Sequence, residues 1–508
     1  MTAADLLAAD FGTLPDLVRA HAVERVSKPA LADEARTLGY AELDALMDRI
    51  AAGLQRDGAA KGTAVAILAY PSVEQAAVFL GTLRAGCVAT PIAPSATPDQ
   101  IAAMVRDSGS PVLFLDAPDA AALAGLDLPA RRVALEELDA WLPPEGAAPE
   151  PVAIGPEDGF NIIYSSGTTG TPKGIVQSHA MRWAHISRNA ALGFGDAVTM
   201  VATPLYSNTT LVSFLPTLGC GGTAVIVGKF DARRYLELAE THRATHTMLV
   251  PVQYQRIMGL PDFDRFDLSS FRVKTCTSAP FKPELKADVL ARWPGLLIEY
   301  YGMTEGGASC GLVCDEHPDK LHTVGRPLPG HEIRLIDEHG REVAPGGTGE
   351  VVGRSPTMMT GYHGRADATR DAEWYDADGT RFIRHGDLAR FDEDGFLILM
   401  DRKKDLIISG GFNIYPSDLE AVLLEHPAVA DAAVIGMPSD EWGETPVGFY
   451  VARPGAADSP EDVLAWANGR LGRTQRLSAL HEVGELPRSA IGKVLKRELR
   501  DILLSEVA

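Results

Sequence analysis

Short apolar runs alternate with amphipathic stretches through most of the first three-fifths of the chain, and this alternation limits the fold more than any other feature. Residues 40–54 carry apolar side chains at helical spacing, 63–69 form an unbroken apolar run, 78–86 are helical again and stop at Gly86, and 88–92 are strand-like. Further on, 211–218 are apolar, and 223–227, 246–250, 273–280 and 297–302 read as strands. Residues 231–239 read as a helix with Asp231 as its cap. Such alternation argues for α/β layers with mostly parallel strands. Residues 117–153, rich in Ala, Pro and Glu, read as a variable surface connection. Beyond residue 400 a glycine loop over 408–416 leads into a helix opened by proline, over 417–424.

One stretch carries chemistry of its own. After the apolar run 160–164 comes Ser165-Ser166-Gly167-Thr168-Thr169-Gly170, then Thr171, Pro172, Lys173 and Gly174; from about His179 the sequence turns helical. Glycines let backbone N–H groups surround an anion, hydroxyls add donors, and Lys173 adds a mobile positive charge. This suits a polyphosphate. It is not the common nucleoside-triphosphatase loop, which needs Gly where Pro172 stands and Ser or Thr where Gly174 stands. A second cluster, Tyr301-Gly302-Met303-Thr304-Glu305, holds an aromatic that can stack on a purine, a hydroxyl that can donate to phosphate and a carboxylate that can hold Mg²⁺. A third, Arg384-His385-Gly386-Asp387-Leu388, offers a carboxylate whose oxygens only accept.

The string from Ser165 to Gly174 resembles the signature of the adenylate-forming superfamily, which comprises acyl- and aryl-CoA ligases, peptide-synthetase adenylation domains and firefly-type luciferases. The resemblance spans nearly the whole chain and is nearest to the acid–CoA ligases. It implies a large N-terminal domain over residues 1–400 with multi-layered α/β sheets, a hinge over 401–404 with Lys404 as pivot, and a small α+β lid over 405–508. It implies that the loop 165–170 with Lys173 holds the β and γ phosphates of ATP. Tyr301 would contact adenine, with Ser278, Ala279 and Pro280 on its other side. Thr304 would meet the α-phosphate and Glu305 the metal, and Asp387 and Arg402 would bind the ribose. Gly410 and Gly411 would line a pantetheine tunnel, Trp442 would pack near coenzyme A, and Arg473 and Arg476 would meet its phosphates, although Thr474 stands where relatives more often have proline. Lys493, in the segment Pro487-Arg-Ser-Ala-Ile-Gly-Lys-Val494, falls on the C-terminal signature's lysine. Lys173, Thr304, Glu305 and Lys493 are thus the expected catalytic set, and ATP, Mg²⁺ and coenzyme A the expected cofactors.

Composition bounds the partners. A chain of 508 residues with a net charge of −21 has room for two or more domains and lacks the basic face that nucleic acid demands. Cys87, Cys220, Cys276, Cys310 and Cys314 are scattered and odd in number, as in a reducing compartment. Cys310 and Cys314 with His317 and His322 do not have the tighter paired spacing of a structural zinc site. Acidic Asp5 and Asp10 without a basic-then-apolar leader argue against a secretory signal, and no apolar run is long enough to cross a bilayer. A cytoplasmic enzyme without integral membrane contact is expected, and a homodimer is compatible with the sequence.

The acyl pocket is expected between Tyr206, Asn208, Thr277, Tyr300, Gly306 and Gly307. Amino-acid-activating domains usually carry an aspartate near the segment 203–213, and none is present here; Glu299 is the one acid that could pair with a substrate amine. The expected activity is ATP-dependent formation of an acyl-adenylate from an apolar monocarboxylic acid, aryl or medium- to long-chain, in preference to free amino acids, followed by thioester formation with coenzyme A. The alternatives are a free-standing enzyme loading a carrier protein and a non-catalytic sensor of nucleotide or acyl-adenylate.

Overall fold

The computed structural model describes every residue except 124, 166–172, 410–411, 440–441, 473–474, 490–491 and 508. It divides into two compact units, Met1–Ile333 with Gly353–Ile383, and Arg334–Val352 with Arg384–Ala508.

The first unit contains two sheets with helices packed between them. In the nine-stranded sheet, Pro29–Ala32, Thr223–Ile226, Val198–Val201, His246–Leu249, Val273–Cys276 and Leu296–Met303 are neighbours in parallel register. The seven-stranded sheet has parallel Val88–Ile92, Ala64–Leu68 and Val112–Leu115 at its centre. These strands are buried throughout, which is why they read as unbroken apolar runs rather than alternating ones. Leu31 and Val201 from one sheet and Ile67 and Phe160 from the other share a single core with Leu17, Met47, Phe79 and Phe214 of the intervening helices. Each fully buried side chain of this size contributes roughly 1.5–3 kcal/mol of transfer free energy. Asp231 caps helix Ala232–Thr241 as its sequence predicts, accepting from Arg234 N at 2.8 Å.

The stretch 117–153 departs from expectation. It contains helix Ala117–Ala122, strand Arg131–Ala134 at the edge of the seven-stranded sheet, and helix Leu138–Trp141. Trp141 is buried edge-on against Phe114, with centroids 5.0 Å apart. The Ala/Pro/Glu composition conceals a strand whose one buried apolar side chain is Val133; its place is fixed by pairing with Val112–Leu115.

In the second unit the long hairpin Val429–Ser439 and Gly443–Ala452 is extended by Ile407–Ser409, Phe412–Ile414 and Ala479–Glu482. Helices Pro416–Leu424 and Pro460–Asn468 cover one face through Leu419, Leu423 and Val463. Helix Lys496–Val507 covers the other through Leu499 and Leu503. Residues 384–400 group with this unit because strand Leu397–Arg402 pairs back onto 387–391. No helix among the described residues is long and apolar enough to cross a membrane.

Candidate active site

The Gly/Ser/Thr-rich stretch joins two antiparallel strands. Gly159–Ser165 pairs with Lys173–Ser178, Tyr164 facing Gly174 and Ser165 facing Lys173. The sequence predicts loop and then helix; a strand intervenes, and helix His179–Asn189 begins only after it. Ser166, Gly167, Thr168, Thr169 and Gly170 lie outside the described residues. Gly174 is small for a packing reason, since a Cβ there would lie 2.8 Å from Ile162 Cγ2 and 3.2 Å from the Tyr164 ring.

Lys173 meets two distant parts of the chain. Strand Gly361–Tyr362 pairs with Lys173–Ser178, and His363 N donates to Gly174 O at 2.7 Å. Lys173 Nζ lies 5.2 Å from the centroid of the Tyr362 ring. The Tyr362 hydroxyl donates to Glu305 Oε1 at 2.8 Å. Burial first, and the Glu305 carboxylate second, push the Tyr362 phenol up, so it remains the donor. Thr304 and Glu305 form the turn between strands Leu296–Met303 and Gly306–Val313. Gly306 has φ +83° and no room for a Cβ, which would fall 1.9 Å from Thr357 O. Met359 N completes the brace by donating to Glu305 O at 2.8 Å.

Beneath the turn lies a buried polar network with no motif in sequence. Gln177 Nε2 donates to Thr304 O at 2.7 Å, and Gln177 Oε1 accepts from Asn161 Nδ2 at 2.9 Å and from Arg182. Arg182 also donates to Asn161 Oδ1 at 3.0 Å and Asn208 Oδ1 at 2.9 Å. Burial lowers this guanidinium to about 9, so it stays charged at neutral pH, held by amides.

Tyr164, the last side chain before the loop that is described, donates to Asp107 Oδ2 at 2.8 Å, and Arg365 donates to Asp107 Oδ1 at 3.0 Å. Asp107 therefore ties the start of the loop to the segment that follows Tyr362. Asp107→Asn is expected to raise the KM for ATP several-fold. Stability should fall by only about 1 kcal/mol, because the Arg365 side chain is partly exposed. ATP titration and a denaturant midpoint check this; a large stability loss with an unchanged KM would show that Asp107 serves the fold alone.

Val273–Cys276 and Leu296–Met303 are paired in parallel, so Ser278 and the buried Tyr301 emerge from the same ends of neighbouring strands, with Ala279 and Pro280 following. Ser278 has φ +84°, a left-handed conformation that costs roughly 1–2 kcal/mol for a side chain with a Cβ. Its Oγ lies 2.5 Å from Thr209 Oγ1.

Of the residues expected around the acyl group, Tyr206 and Asn208 stand at the start of helix Asn208–Gly219, and Thr277 follows strand Val273–Cys276. Gly307 has φ +73°. Burial pushes the phenols of Tyr206 and Tyr300 up. Glu299 does not offer itself to a substrate amine. It is buried against Lys286 of helix Pro283–Arg292, and burial, opposed by that lysine, pushes its carboxyl up to about 7. Adjacent strand residues point to opposite faces, so Glu299 and Tyr300 serve different sides. A cleft of about 790 Å³ in this unit, lined by residues such as Arg36, Tyr70 and Glu136, includes none of the expected site residues.

In the second unit Asp387 faces Arg402 across the hairpin, with Oδ1 and Nε 2.8 Å apart. Glu350 accepts from Arg384 and Lys403, both at 2.9 Å, fixing the flanks of that pair. His385 is buried and lowered to about 4, hence neutral. Lys404 is exposed in the turn Lys403–Asp405. Trp442 is 51% exposed, and Arg476 is exposed. Gly410, Gly411 and Arg473 lie outside the described residues. Lys493 is exposed and follows Gly492 at φ +79°.

Among the described residues no three His, Cys, Asp or Glu side chains gather as a metal cage. Cys310 and Cys314 are buried thiols. A lone Glu305 carboxylate, positioned through one oxygen by Tyr362, suits Mg²⁺, which commonly binds one or two carboxylates together with substrate phosphates.

Comparison with known proteins places the chain in a family. The model of the AMP-binding enzyme family matches residues 18–363, and that of the AMP-binding enzyme C-terminal domain matches 418–493. A fatty acid–[acyl-carrier-protein] ligase of Streptomyces coeruleorubidus is 31% identical over 504 residues, covering 96% of each chain. The 4-coumarate–CoA ligase 5 of Oryza sativa subsp. japonica is 33% identical over 518 residues, covering 98% of this chain and 95% of that one. The ATP-bound structure of a chimera of two proteins, RpMatB and BxBclM, superposes with a TM-score of 0.84 at 29% identity, covering 97% of this chain and 100% of the chimera.

Proposed function

The chain belongs to the AMP-binding enzyme family and is an AMP-forming acid–thiol ligase that uses ATP, Mg²⁺ and coenzyme A, and we propose that its acid is one with an apolar body, aryl or medium- to long-chain aliphatic. The observation that carries the site assignment is the row Lys173–Tyr362–Glu305 beside the Thr304 turn.

A carboxylate is a poor electrophile until pyrophosphate is displaced from ATP and a mixed anhydride with AMP forms. That step brings two anions together, so it needs positive charge and placement rather than a protein nucleophile. In this reading Lys173 and the loop before it hold the β and γ phosphates, Thr304 meets the α-phosphate, and Glu305 holds Mg²⁺, which neutralises phosphate charge. Tyr301 and the segment 278–280 flank adenine, Asp387 and Arg402 take the ribose hydroxyls, and Lys493 stabilises the charge of the first step. Thioester formation needs a pantetheine channel instead, with Gly410, Gly411, Trp442, Arg473 and Arg476 on the coenzyme A side. We place a hinge at 401–404 and a lid over 405–508 to serve both steps.

The acid itself follows from the pocket. With Glu299 engaged by Lys286, a substrate ammonium would stay unpaired at a cost of several kcal/mol. Free amino acids should therefore be poor substrates, and each methylene buried in the pocket should improve kcat/KM about fourfold, from about 0.8 kcal/mol. A panel of straight-chain, phenylalkanoic, cinnamic and amino acids scored by AMP release tests this; a best substrate bearing an α-amino group overturns it. The carrier-protein name of one relative supports a second reading. Thioester formed with a carrier protein but not with free coenzyme A would favour that reading.

The hinge is tested by Lys404→Pro. Proline fixes φ near −65° and removes an N–H. One half-reaction should slow at least tenfold more than the other. Equal rates in both would place the pivot elsewhere.

A further inference from the structure

Arg182, early in helix His179–Asn189, is wholly buried, with its guanidinium carbon 5.9 Å from the centroid of the Phe160 ring. Nε donates to Asn161, Nη1 to Asn208 and Nη2 to Gln177, each time to the amide oxygen. A guanidinium only donates, so it fixes which end of each amide faces it. Gln177 therefore turns its Nε2 away, and that nitrogen donates to Thr304 O at 2.7 Å. Asn161 and Gln177 face one another across the two strands that flank the Gly/Ser/Thr-rich stretch. Asn208 opens helix Asn208–Gly219, and the next residue, Thr209, meets Ser278 hydroxyl to hydroxyl at 2.5 Å. One guanidinium thus joins the base of that hairpin, the Thr304 turn and the helix start beside Ser278. No carboxylate meets its charge: Arg182 makes no ion pair among the described residues, and burial alone acts on its hold on the proton. Amides satisfy a cation's donors without cancelling its charge, and an uncancelled charge in the interior is unfavourable. An apolar side chain of similar length would fill the space without that cost. The opposite charge arrives with the reactants, since adenylation brings a carboxylate and a polyphosphate together.

We propose that Arg182 is a positioning residue for adenylation: through Gln177, Asn161 and Asn208 it holds the phosphate-loop strands, the Thr304 turn and the start of helix Asn208–Gly219 in one arrangement, and its uncancelled charge favours the polyanionic state of the first step. It acts through these amides and touches neither ATP nor the acid. A cation that no carboxylate neutralises acts further in the dry interior than at the surface, and Gln177, bonded to Arg182 at one end and to Thr304 O at the other, carries its polarisation to the turn. The inference rests on the ligase reading above, which gives Thr304 to the α-phosphate, and adds to it a residue that stands in none of the sequence motifs.

The test uses the full-length enzyme, one accepted acid and two assays: acid-dependent ATP–pyrophosphate exchange, and thioester formation from supplied acyl-adenylate and coenzyme A. Arg182→Met should lower exchange by roughly tenfold to a hundredfold, less than the loss of a donor aimed directly at the reacting atoms. Thioester formation should stay within a few-fold of wild type, which also shows that the variant folds. Arg182→Lys separates charge from shape, because a buried lysine gives up its proton more readily than one in water. Lys274, buried in this chain with its Nζ on the Trp293 and Pro294 carbonyls, is lowered to about 8. A lysine carries its charge below its pKa and loses it above. Exchange in Arg182→Lys relative to wild type should therefore fall as pH rises from about 6 to about 9, while the same ratio for thioester formation stays level. Should the Met variant not fold, the Lys ratio decides alone. An arginine that serves the fold only would lower both assays together in Arg182→Met and leave the Lys ratio flat with pH; either result overturns the proposal. Wild type that catalyses exchange with no acid of any kind would instead defeat the ligase reading itself.

Discussion

Lys493→Ala is expected to lower acid-dependent ATP–pyrophosphate exchange by about a hundredfold to a thousandfold, the usual effect of losing one donor aimed at developing charge. Conversion of supplied acyl-adenylate and coenzyme A to thioester should stay within a few-fold of wild type. The asymmetry follows from the chemistry. In adenylation the acid oxygen attacks a polyanion and pyrophosphate departs, so negative charge gathers around the α-phosphate; the later attack of a thiol on the acyl carbon needs no added cation there. The protein fold should tolerate the change. The loop carrying Lys493 is shaped by other groups, with Arg488 Nη1 donating to Gly492 O at 2.7 Å and pairing with Asp431, and with Ser489 N donating to Lys493 O at 2.8 Å. The Lys493 side chain itself is exposed. If both half-reactions drop equally in a variant with an unchanged unfolding transition, Lys493 does not divide the two steps.

The elements legible in sequence are those whose own side chains determine their burial. The apolar run 63–69 forms strand Ala64–Leu68, and residues 40–54 form helix Tyr40–Arg56, because a fully buried strand and an amphipathic helix each write their environment into their composition. Strands Arg131–Ala134 and Lys173–Ser178 leave no such trace because pairing, not composition, places them: the first is polar at two of its four positions and the second holds a lysine and a glycine. The proposed site residues divide the same way. Lys173, Thr304, Glu305 and Asp387 stand in compact motifs. Tyr362, Gln177, Arg182 and Asp107 do not, since each reaches the site across a strand pairing or from another element, and their sequence signal is no more than an isolated polar or aromatic residue. Glu299 shows what lies between these cases. Strand alternation already puts it on the face opposite Tyr300, but only the structure supplies Lys286 as the partner that occupies it.

Glu305→Gln isolates charge from shape. Gln keeps an oxygen that can accept from the Tyr362 hydroxyl, and the carbonyl that receives Met359 N belongs to the backbone, so the turn should persist. What disappears is the negative charge beside Lys173 and the proposed Mg²⁺. Adenylation is expected to fall by about a hundredfold to a thousandfold, with the Mg²⁺ concentration for half-maximal exchange raised at least tenfold and part of the rate recovered at high Mg²⁺. Tyr362→Phe removes only the hydroxyl that orients Glu305 and leaves the ring beside Lys173, so its loss should be nearer tenfold. The two changes act on one contact, and their effects should not add: combined with Glu305→Gln, Tyr362→Phe should cost little more, because orienting an uncharged amide does nothing for the metal. Full additivity would mean that Tyr362 acts through Lys173 rather than through Glu305. An unaltered Mg²⁺ dependence in Glu305→Gln would remove the metal from Glu305 altogether, leaving that residue as a brace for the Thr304 turn.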